Sequence, residues 1–297
     1  MLLVSLQTFA QYESEEDPED PTNFMRHKGF HIGAYFGGYI PNKYTASNYD
    51  GYGFDLNGNK NNFENSWMYQ KIVNQYGGGY ASQPDQVALA LGVQSNPKEW
   101  QFTESDMPNR MKYEGGFLLG INSQYAINKK NAILLNINFV KLTITGSFNM
   151  ERKKKNSSSS DFDSVLTFGI VGGEQRVLFQ LGYQRILTNY QKTNFFIEGG
   201  VNVTYTKFEK NQIEINNLTI DLVSNTNQFQ NPSLTYDIPI LRKTGIGFFA
   251  GLGLDLVVGR RWNAQIVYQP TYEKVNIGIE PKLKPQHSFG VRAYYRL

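Results

Sequence analysis

The chain has 297 residues and is rich in glycine (28), phenylalanine (20) and tyrosine (19), yet only 40% of it is hydrophobic. The apolar residues are therefore distributed along the chain rather than gathered into continuous runs, which is typical of strands with two different faces. A formal net charge of +3, with scattered Lys and Arg, does not favour a nucleic-acid partner. The absence of cysteine excludes disulfide scaffolds, thiol nucleophiles and thiolate metal sites.

Residues 1–11, MLLVSLQTFAQ, form a short apolar run that resembles the h-region and cleavage site of a secretory signal peptide. The basic n-region is missing, as expected if the true start lies upstream, and a buried strand is the alternative interpretation. Residues 12–28 carry six acidic residues interspersed with prolines, which predicts an acidic tail without regular structure. No later stretch approaches the roughly 18 to 20 apolar residues that a membrane-spanning helix needs.

A hydrophobic period of two begins at GFHIGAYFGGYI, where Phe30, Ile32 and Phe36 alternate with His31 and Tyr39. The same period recurs seven more times, which predicts eight strands. We place the first at 29–40 and the others at approximately 113–127, 132–150, 164–187, 195–216, 244–258, 263–278 and 287–297.

The connections between these strands alternate in length. Tight turns at NKKN, NYQKTN and GRRWN separate longer segments, of which the insert over 41–112 is the longest. Outer-membrane barrels have short periplasmic turns and long extracellular loops, and an even strand count leaves both termini in the periplasm. The pattern predicts an all-β fold, an eight-stranded antiparallel transmembrane barrel over 29–297. The tail at 12–28 is then periplasmic and the insert extracellular.

The two faces of each predicted strand differ in chemistry. In the sixth strand one row is apolar, while the alternate row is largely glycine and carries Asp255. We predict that apolar rows face lipid and polar rows face a narrow lumen. A soluble lipocalin-like barrel, the main alternative, would turn the apolar rows inward. The apolar row of the sixth strand consists of Ile246, Phe248, Ala250, Leu252, Leu254, Leu256 and Val258.

Two positions fit this pattern poorly. Pro270 interrupts the seventh strand, which predicts a bulge or a slip in register. The third strand loses its alternation at Val140 and Lys141, so we expect it to leave the membrane there. Aromatic residues cluster where the membrane interfaces should fall. These are Tyr125, Tyr190, Trp262 and Tyr295 near the predicted periplasmic turns, and Phe117, Tyr205, Tyr272 and Phe289 near the other rim.

The eight-strand pattern, the FAQ-type export signal and the closing segment HSFGVRAYYRL resemble the small outer-membrane β-barrel superfamily. OmpX-like, OmpA-transmembrane-like and PorT-like barrels are similar to it, the last being associated with type IX secretion. The resemblance covers the architecture from Gly29 to Leu297, without a motif that selects one family. It implies a location in the outer membrane. The usual final phenylalanine is replaced by Leu297, which keeps an apolar terminal side chain.

The residues that could take part in catalysis favour a non-enzymatic protein. His27, His31 and His287 do not converge, and the spacings GxSxG, HExxH and the P-loop are absent, so no metal, cofactor or catalytic residue is predicted. Charged residues that point inward are predicted to form a lumen network that locks the barrel, with an ion or proton path as the alternative. The network consists of Arg176, Glu198, Asp255, Glu273 and Arg292.

The insert at 41–112 is too long for an unstructured loop, so it is expected to fold. Helical spacing around NNFENSWMYQKIV, and SQPDQVALALG with Ser82 as N-cap and Gly92 as stop, predict two short helices. Its aromatic residues favour either contact with a partner or a small core over the barrel mouth. The candidates for partner contact are Trp67, Tyr69, Tyr76, Tyr80 and Trp100.

The function we expect is an accessory or anchoring subunit of an envelope or secretion-associated complex. Its partners are outer-membrane lipid and one or more envelope proteins, bound through the insert or the acidic tail. A stand-alone transport or adhesion barrel is the alternative, and a membrane-embedded lipid-modifying enzyme is a third hypothesis.

Overall fold

The structure is a computed structural model that describes residues 28–55, 58–73, 83–93, 99–153, 164–188, 190, 192–223, 242–259, 261–277 and 282–297. The predicted signal peptide and nearly all of the acidic tail therefore lie outside the described residues. The eight long strands are β1 (Gly29–Ile40), β4 (Gly116–Ala126), β5 (Asn131–Arg152), β6 (Ser164–Ile186), β7 (Thr193–Ile215), β9 (Arg242–Val257), β10 (Trp262–Lys274) and β11 (Leu283–Arg296).

These strands close into a ring in which each pairs antiparallel with both neighbours. Neighbours in sequence pair along most of the ring, and the ring closes where β1 pairs with β11, with Ala34 opposite Ala293. Three short strands lie above the ring on the side of the long loops: β2 (Trp100–Gln101), β3 (Lys112–Tyr113) and β8 (Leu218–Asp221). The eight predicted strands are all present, and the predicted antiparallel barrel is confirmed.

The ring has two unlike ends. The end at which β1 begins and β11 ends carries the tight connections around 127–130, 187–192 and 258–261, and we refer to it as the turn end. The opposite end carries the long connections and the insert, and we refer to it as the loop end. This alternation of short and long connections is the one predicted from the sequence.

The insert folds into short helices. They are the 3-10 helix η1 (Lys43–Tyr49), α1 (Trp67–Ile72), α2 (Gln83–Leu91) and the 3-10 helix η2 (Glu104–Asp106). Ser66 caps α1, its side chain accepting a hydrogen bond from the backbone N–H of Tyr69 at 3.1 Å. Gly92 ends α2 with a φ of +70°, a left-handed conformation that favours glycine. The predicted N-cap of α2, Ser82, lies outside the described residues.

Strands β5, β6 and β7 continue well past their neighbours at the loop end. Along β5 the outward-facing side chains are apolar from Ile133 to Phe139, and from Lys141 onward they are polar. Over the same stretch the inward-facing row turns apolar, with Leu142, Ile144 and Phe148 buried. The side chains keep alternating, but the polarity of the two faces inverts. The break seen in the sequence therefore marks a change of surroundings, while β5 itself continues to Arg152.

The insert packs on the inner face of these extensions and forms a lobe with its own core. Helices α1 and α2 contribute Met68 and Leu91, and β5 contributes Phe148, all of them buried. Rings in this core meet edge to face, as Phe102 and Phe148 do with centroids 6.2 Å apart. The remaining buried members are Ile72, Val87, Ala88, Trp100, Phe102, Met107, Met150, Ile170, Ile213, Ile215, Ile220 and Leu222.

Pro270 does not shift the register of β10. It lies opposite His287 in an unbroken ladder with β11. On the other side, Tyr268 pairs with Leu252 and Thr271 with Phe249, so the register with β9 is the same before and after the proline. The predicted bulge or slip is wrong: two pairings with β9 are lost, and the ladder with β11 holds the strand in place. The irregularity in the barrel lies instead between β6 and β7, at Gly173 and Glu174.

Candidate functional site

The lumen holds two buried charge centres, one nearer each end of the barrel. Nearer the turn end, the guanidinium of Arg292 donates two hydrogen bonds to the carboxylate of Glu198, at 2.7 and 2.8 Å. Neither side chain is exposed. The Arg292 guanidinium also lies over the ring of Tyr35, 5.7 Å from its centroid. The carboxylate of Glu198 and the aromatic ring of Tyr35 together stabilise the positive charge of Arg292, which would otherwise be costly to bury.

Amide side chains connect this pair to Asp255. Gln184 donates to Glu198 at 3.0 Å, and its amide meets that of Gln265 at 3.3 Å. Gln265 and Asn263 each donate to Asp255 at 2.7 Å. The turn-end centre is therefore a continuous hydrogen-bonded chain that crosses several strands.

Glycine makes room for this chain of polar side chains. A Cβ at Gly251 would lie 2.7 Å from Cγ of Glu198, which is too close for two carbon atoms. The glycine-rich inner row of β9, noted in the sequence, therefore leaves the space that the Glu198 side chain occupies. The same row contains Gly253, where a Cβ would meet the ring of Phe196.

The centre nearer the loop end is built around Arg176. Its Nε donates to Glu174 at 2.6 Å, and its Nη1 donates to the hydroxyl of Tyr39 at 3.0 Å. Tyr39 in turn donates to Glu273 at 3.0 Å, and Asn202 and Thr204 also donate to that carboxylate. All of these side chains are buried. The Arg176 charge is thus shared between two carboxylates, one bound directly and one through a phenol.

The insert is attached to the same centre through two tyrosines. Tyr49 of η1 donates to Glu174 at 2.8 Å, and Tyr113 of β3 donates to it at 3.0 Å. Burial raises the pKa of both phenols well above the ordinary value, so both stay protonated and remain donors near neutral pH. The Tyr49 ring also stacks on Phe208, with centroids 4.4 Å apart. A polar centre in the lumen therefore holds the insert over the mouth.

The five residues predicted to form one network all point into the barrel, but they form two separate centres. Arg292 pairs with Glu198, as expected, and Asp255 belongs to the same centre. Arg176 lies at the other centre with Glu273. The sequence analysis missed Glu174, the direct partner of Arg176, although it lies two residues away on the same face of β6. It also missed Tyr49 and Tyr113, whose contacts depend on how the insert folds.

Of the five aromatic residues proposed for partner contact, the structure describes three, and these three pack in or against the lobe core. Trp100 is 4% exposed, so its ring belongs to the core and offers no surface to a partner. Trp67 is half-buried and meets Phe54 and Phe208 edge to face. Tyr69 is half-buried against Phe63. For Trp100 the structure favours the alternative interpretation, a small core over the mouth. Tyr76 and Tyr80 lie outside the described residues.

His31 and His287 lie apart. His31 pairs with Arg296 at the turn end of β1, whereas His287 pairs with Ile40 at its loop end. The ring nitrogen Nδ1 of His287 lies 2.7 Å from the hydroxyl of Tyr268, and His27 lies outside the described residues. Within the described part of the chain, no group of three or more His, Asp or Glu side chains is placed to hold a metal ion.

The outer surface of the ring is a belt of exposed apolar side chains. It includes the predicted row of β9, in which Phe248 is 61% exposed and Leu254 and Leu256 are partly exposed, and it continues around every strand of the ring. From Asn131 to Lys141, β5 advances ten residues. At ~3.3 Å per residue and a tilt of ~40°, this covers roughly 25 Å, the height of the lipid-facing band of a membrane barrel. A closed ring with a polar interior and an apolar exterior needs lipid around it.

The chain is a membrane-spanning β-barrel of the outer-membrane type. The soluble lipocalin-like alternative is excluded because its apolar rows would line the interior. The aromatic residues predicted at the two interfaces all lie on the outer surface, and Trp262 and Tyr295 contact each other at the turn end with ring centroids 5.1 Å apart. Among the described residues, no helix has the length and hydropathy needed to cross a bilayer.

No protein-family model and no curated protein sequence matches the chain. Among solved structures, it is similar to the outer membrane protein OprG from Pseudomonas aeruginosa, with 9% identity and a TM-score of 0.40, covering 93% of this chain and 100% of OprG. It is also similar to Neisserial surface protein A, with 8% identity and a TM-score of 0.38, covering 91% of this chain and 98% of that protein. For Ail, the attachment invasion locus protein of Yersinia pestis, the identity is 9% and the TM-score 0.32, covering 91% of this chain and 100% of Ail. The closed ring and its apolar belt, rather than these distant likenesses, identify the fold.

Proposed function

We propose that this barrel is a non-enzymatic anchor, an accessory subunit of an envelope or secretion-associated complex that binds a protein partner through its insert lobe. The observation that carries the proposal is the lobe itself. It has a hydrophobic core of its own and stands on strands that continue past the apolar belt. With short turns in the periplasm and long loops outside, the lobe faces the cell exterior.

The filled lumen supports anchoring over transport. Arg176, Arg292 and Tyr39 are among the largest fully buried side chains, and each belongs to a hydrogen-bonded centre. An eight-stranded barrel has an interior just wide enough for its own side chains. The part of the barrel that faces lipid offers only apolar surface, so recognition of a protein partner falls to the lobe.

The lobe offers a defined place to test for a partner. On α2, Val87, Ala88 and Leu91 are buried in the lobe core, whereas Leu89 on the opposite face is 80% exposed. A single exposed leucine is ordinary on a protein surface. Leu89 is nevertheless a good position for a probe, because its side chain points away from the core and a replacement leaves the lobe intact.

The test is photo-crosslinking in native membranes. A photoreactive residue at Leu89 should give an adduct with one protein, and the same residue at Leu252, in the lipid-facing belt and 59% exposed, should not. Adduct formation at both positions, or at neither, would contradict recognition through the lobe. If no adduct forms at Leu89 but one forms from a photoreactive residue in the tail at 12–28, the partner binds on the periplasmic side. Ion conductance in planar bilayers would favour the transport alternative, and lipid turnover would favour the enzyme.

A further inference from the structure

A row of cationic side chains lies on the outer surface of the barrel, directly above the apolar belt on the loop-end side. Lys141 of β5 is in register with Gln175 of β6, Gln175 with Lys207 of β7, and Lys207 with Arg242 of β9. All four alternate with lumen-facing neighbours and point outward. With strands ~4.8 Å apart, the row spans about 14 Å of the barrel surface.

A β-bulge adds charge to this row. Glu209 is the extra residue where the register of β6 and β7 shifts, because Gly173 pairs with Lys210 and Glu174 pairs with Phe208. Lys210 is exposed on the outer face. The carboxylate of Glu209 lies 3.1 Å from Nζ of Lys141 and also accepts from Gln175. Four cations against one carboxylate leave a formal charge of +3 on this patch.

The surface below the row is apolar. One outward position down toward the turn end lie Phe139 on β5 and Tyr205 on β7, both exposed, whereas on β9 this position is Thr244. Ile246 and Phe248 lie below Arg242 on β9, at 64% and 61% exposure. The patch therefore combines positive charge at the height of the lipid headgroups with an apolar wall at the height of the acyl chains.

On the other side of Lys141, the next two strands of the ring carry apolar residues at this level. Continuing the register of β4 and β5 past the pair of Leu118 and Val140 places Phe117 level with Lys141, and Phe117 is 74% exposed. On β1 the outward residue at the rim is Ile40, also exposed. Isolated Lys and Arg residues extend toward the interface on many membrane proteins, but those are scattered, whereas these lie in register on adjacent strands.

We propose that this patch binds a phosphorylated glycolipid of the outer leaflet, with Lys207, Lys210 and Arg242 on its phosphates and the belt below against its acyl chains. Arginine binds phosphate in a bidentate fashion and lysine as a point charge. Clusters of basic residues next to a membrane are the usual means of binding anionic headgroups. The site lies on the outer wall, away from the lobe surface proposed for the protein partner.

The test is lipid retention by the purified full-length barrel, measured by native mass spectrometry in detergent with bisphosphorylated lipid A as the probe. The double variant Lys207→Gln, Arg242→Gln should retain the probe about thirtyfold less well, since each basic residue near an anionic surface contributes about 1 kcal/mol. The control Lys129→Gln, Lys130→Gln removes the same charge at the turn end and should retain the probe normally.

A third variant makes the result independent of folding defects. Glu209→Gln removes the carboxylate that competes for Lys141, so it should raise retention of the probe above the wild-type level. Equal loss in both double variants, or no gain with Glu209→Gln, would overturn the proposal. Retention of dephosphorylated lipid A as strong as that of the probe would also overturn it. So would release of the probe by millimolar inorganic phosphate, because the patch would then be a general anion site.

Discussion

Glu198 and Arg292 form a bidentate ion pair that no solvent reaches. Glu198→Gln keeps the shape of the side chain but leaves the guanidinium without a counter-charge, so the barrel should lose about 3 to 5 kcal/mol of unfolding free energy. Urea unfolding of the barrel in lipid vesicles measures this loss. Glu214→Gln is the matched control: it changes an exposed carboxylate on the same strand and should stay within about 0.5 kcal/mol of wild type.

A second variant separates the loss of charge balance from the loss of packing. Removing both charges with Glu198→Gln and Arg292→Met leaves no unpaired ion, so most of the stability lost in the single variant should return. A double variant as unstable as Glu198→Gln alone would show that the hydrogen bonds to Gln184, and not the pairing of charges, stabilise this part of the lumen.

The alternation of side chains on a strand was enough to place Arg292 and Glu198 inside the barrel from sequence alone. It could not show which charges would meet, because the partners lie 94 residues apart in sequence and across the lumen. The same rule placed Arg176 inward and could have placed Glu174 beside it. The bond from Tyr49 to Glu174 depends on the path of the insert, which no local pattern determines.

At the scale of single elements, β6 makes room for the insert with one glycine. A Cβ at Gly172 would lie 2.3 Å from Cδ1 of Tyr49, in the middle of a side chain that is itself fully buried. Gly172→Ala should therefore displace Tyr49 from Glu174 and destabilise the attachment of η1 by about 1 to 3 kcal/mol. Faster cleavage of the insert in limited proteolysis would report it.

Gly169 on the same strand is the control for this prediction. It faces outward, and an added Cβ there would have no atom within 4 Å, so Gly169→Ala should leave the cleavage rate unchanged. If both variants are cleaved faster than wild type, the faster cleavage comes from a change in β6 itself and not from displacement of Tyr49.

Long strands were predictable because a lipid-facing row and a lumen-facing row alternate over ten or more residues. The predicted range 164–187, for example, differs from the observed β6 by one residue. The short strands β2, β3 and β8 were missed because two to four residues carry no readable period. The inversion of polarity at Lys141 was visible in the sequence as a lost alternation. The inversion marks the level at which β5 leaves the apolar belt, and the sequence alone does not show that level.

At the scale of the whole molecule, barrel and lobe have different roles in stability. All eight strands of the ring lie outside the segment 41–112. The lobe core, by contrast, is shared between the insert and the inner faces of the strand extensions. The barrel should thus fold without the insert, but the extensions should not stay covered without it.

The last prediction concerns replacement of 41–112 by a short Gly/Ser turn. Closing a shorter loop costs little, so the shortened barrel should still insert and still migrate differently on gels before and after heating. The inner faces of β5 to β8 would lose their cover, since Phe148, Ile170, Ile213 and Ile220 pack against the insert. We therefore expect the shortened barrel to bind an apolar dye and to associate with itself.

The wild-type barrel with Leu89→Gln is the control, because it changes the lobe surface and leaves the core covered. If the shortened barrel inserts, stays monomeric and still recovers the same partner from native membranes, the insert neither covers the strand extensions nor binds the partner. If it fails to insert at all, the bonds of Tyr49 to Glu174 and of the insert core to the extensions are needed to close the ring. Insertion with dye binding and loss of the partner is the result that the structure leads us to expect.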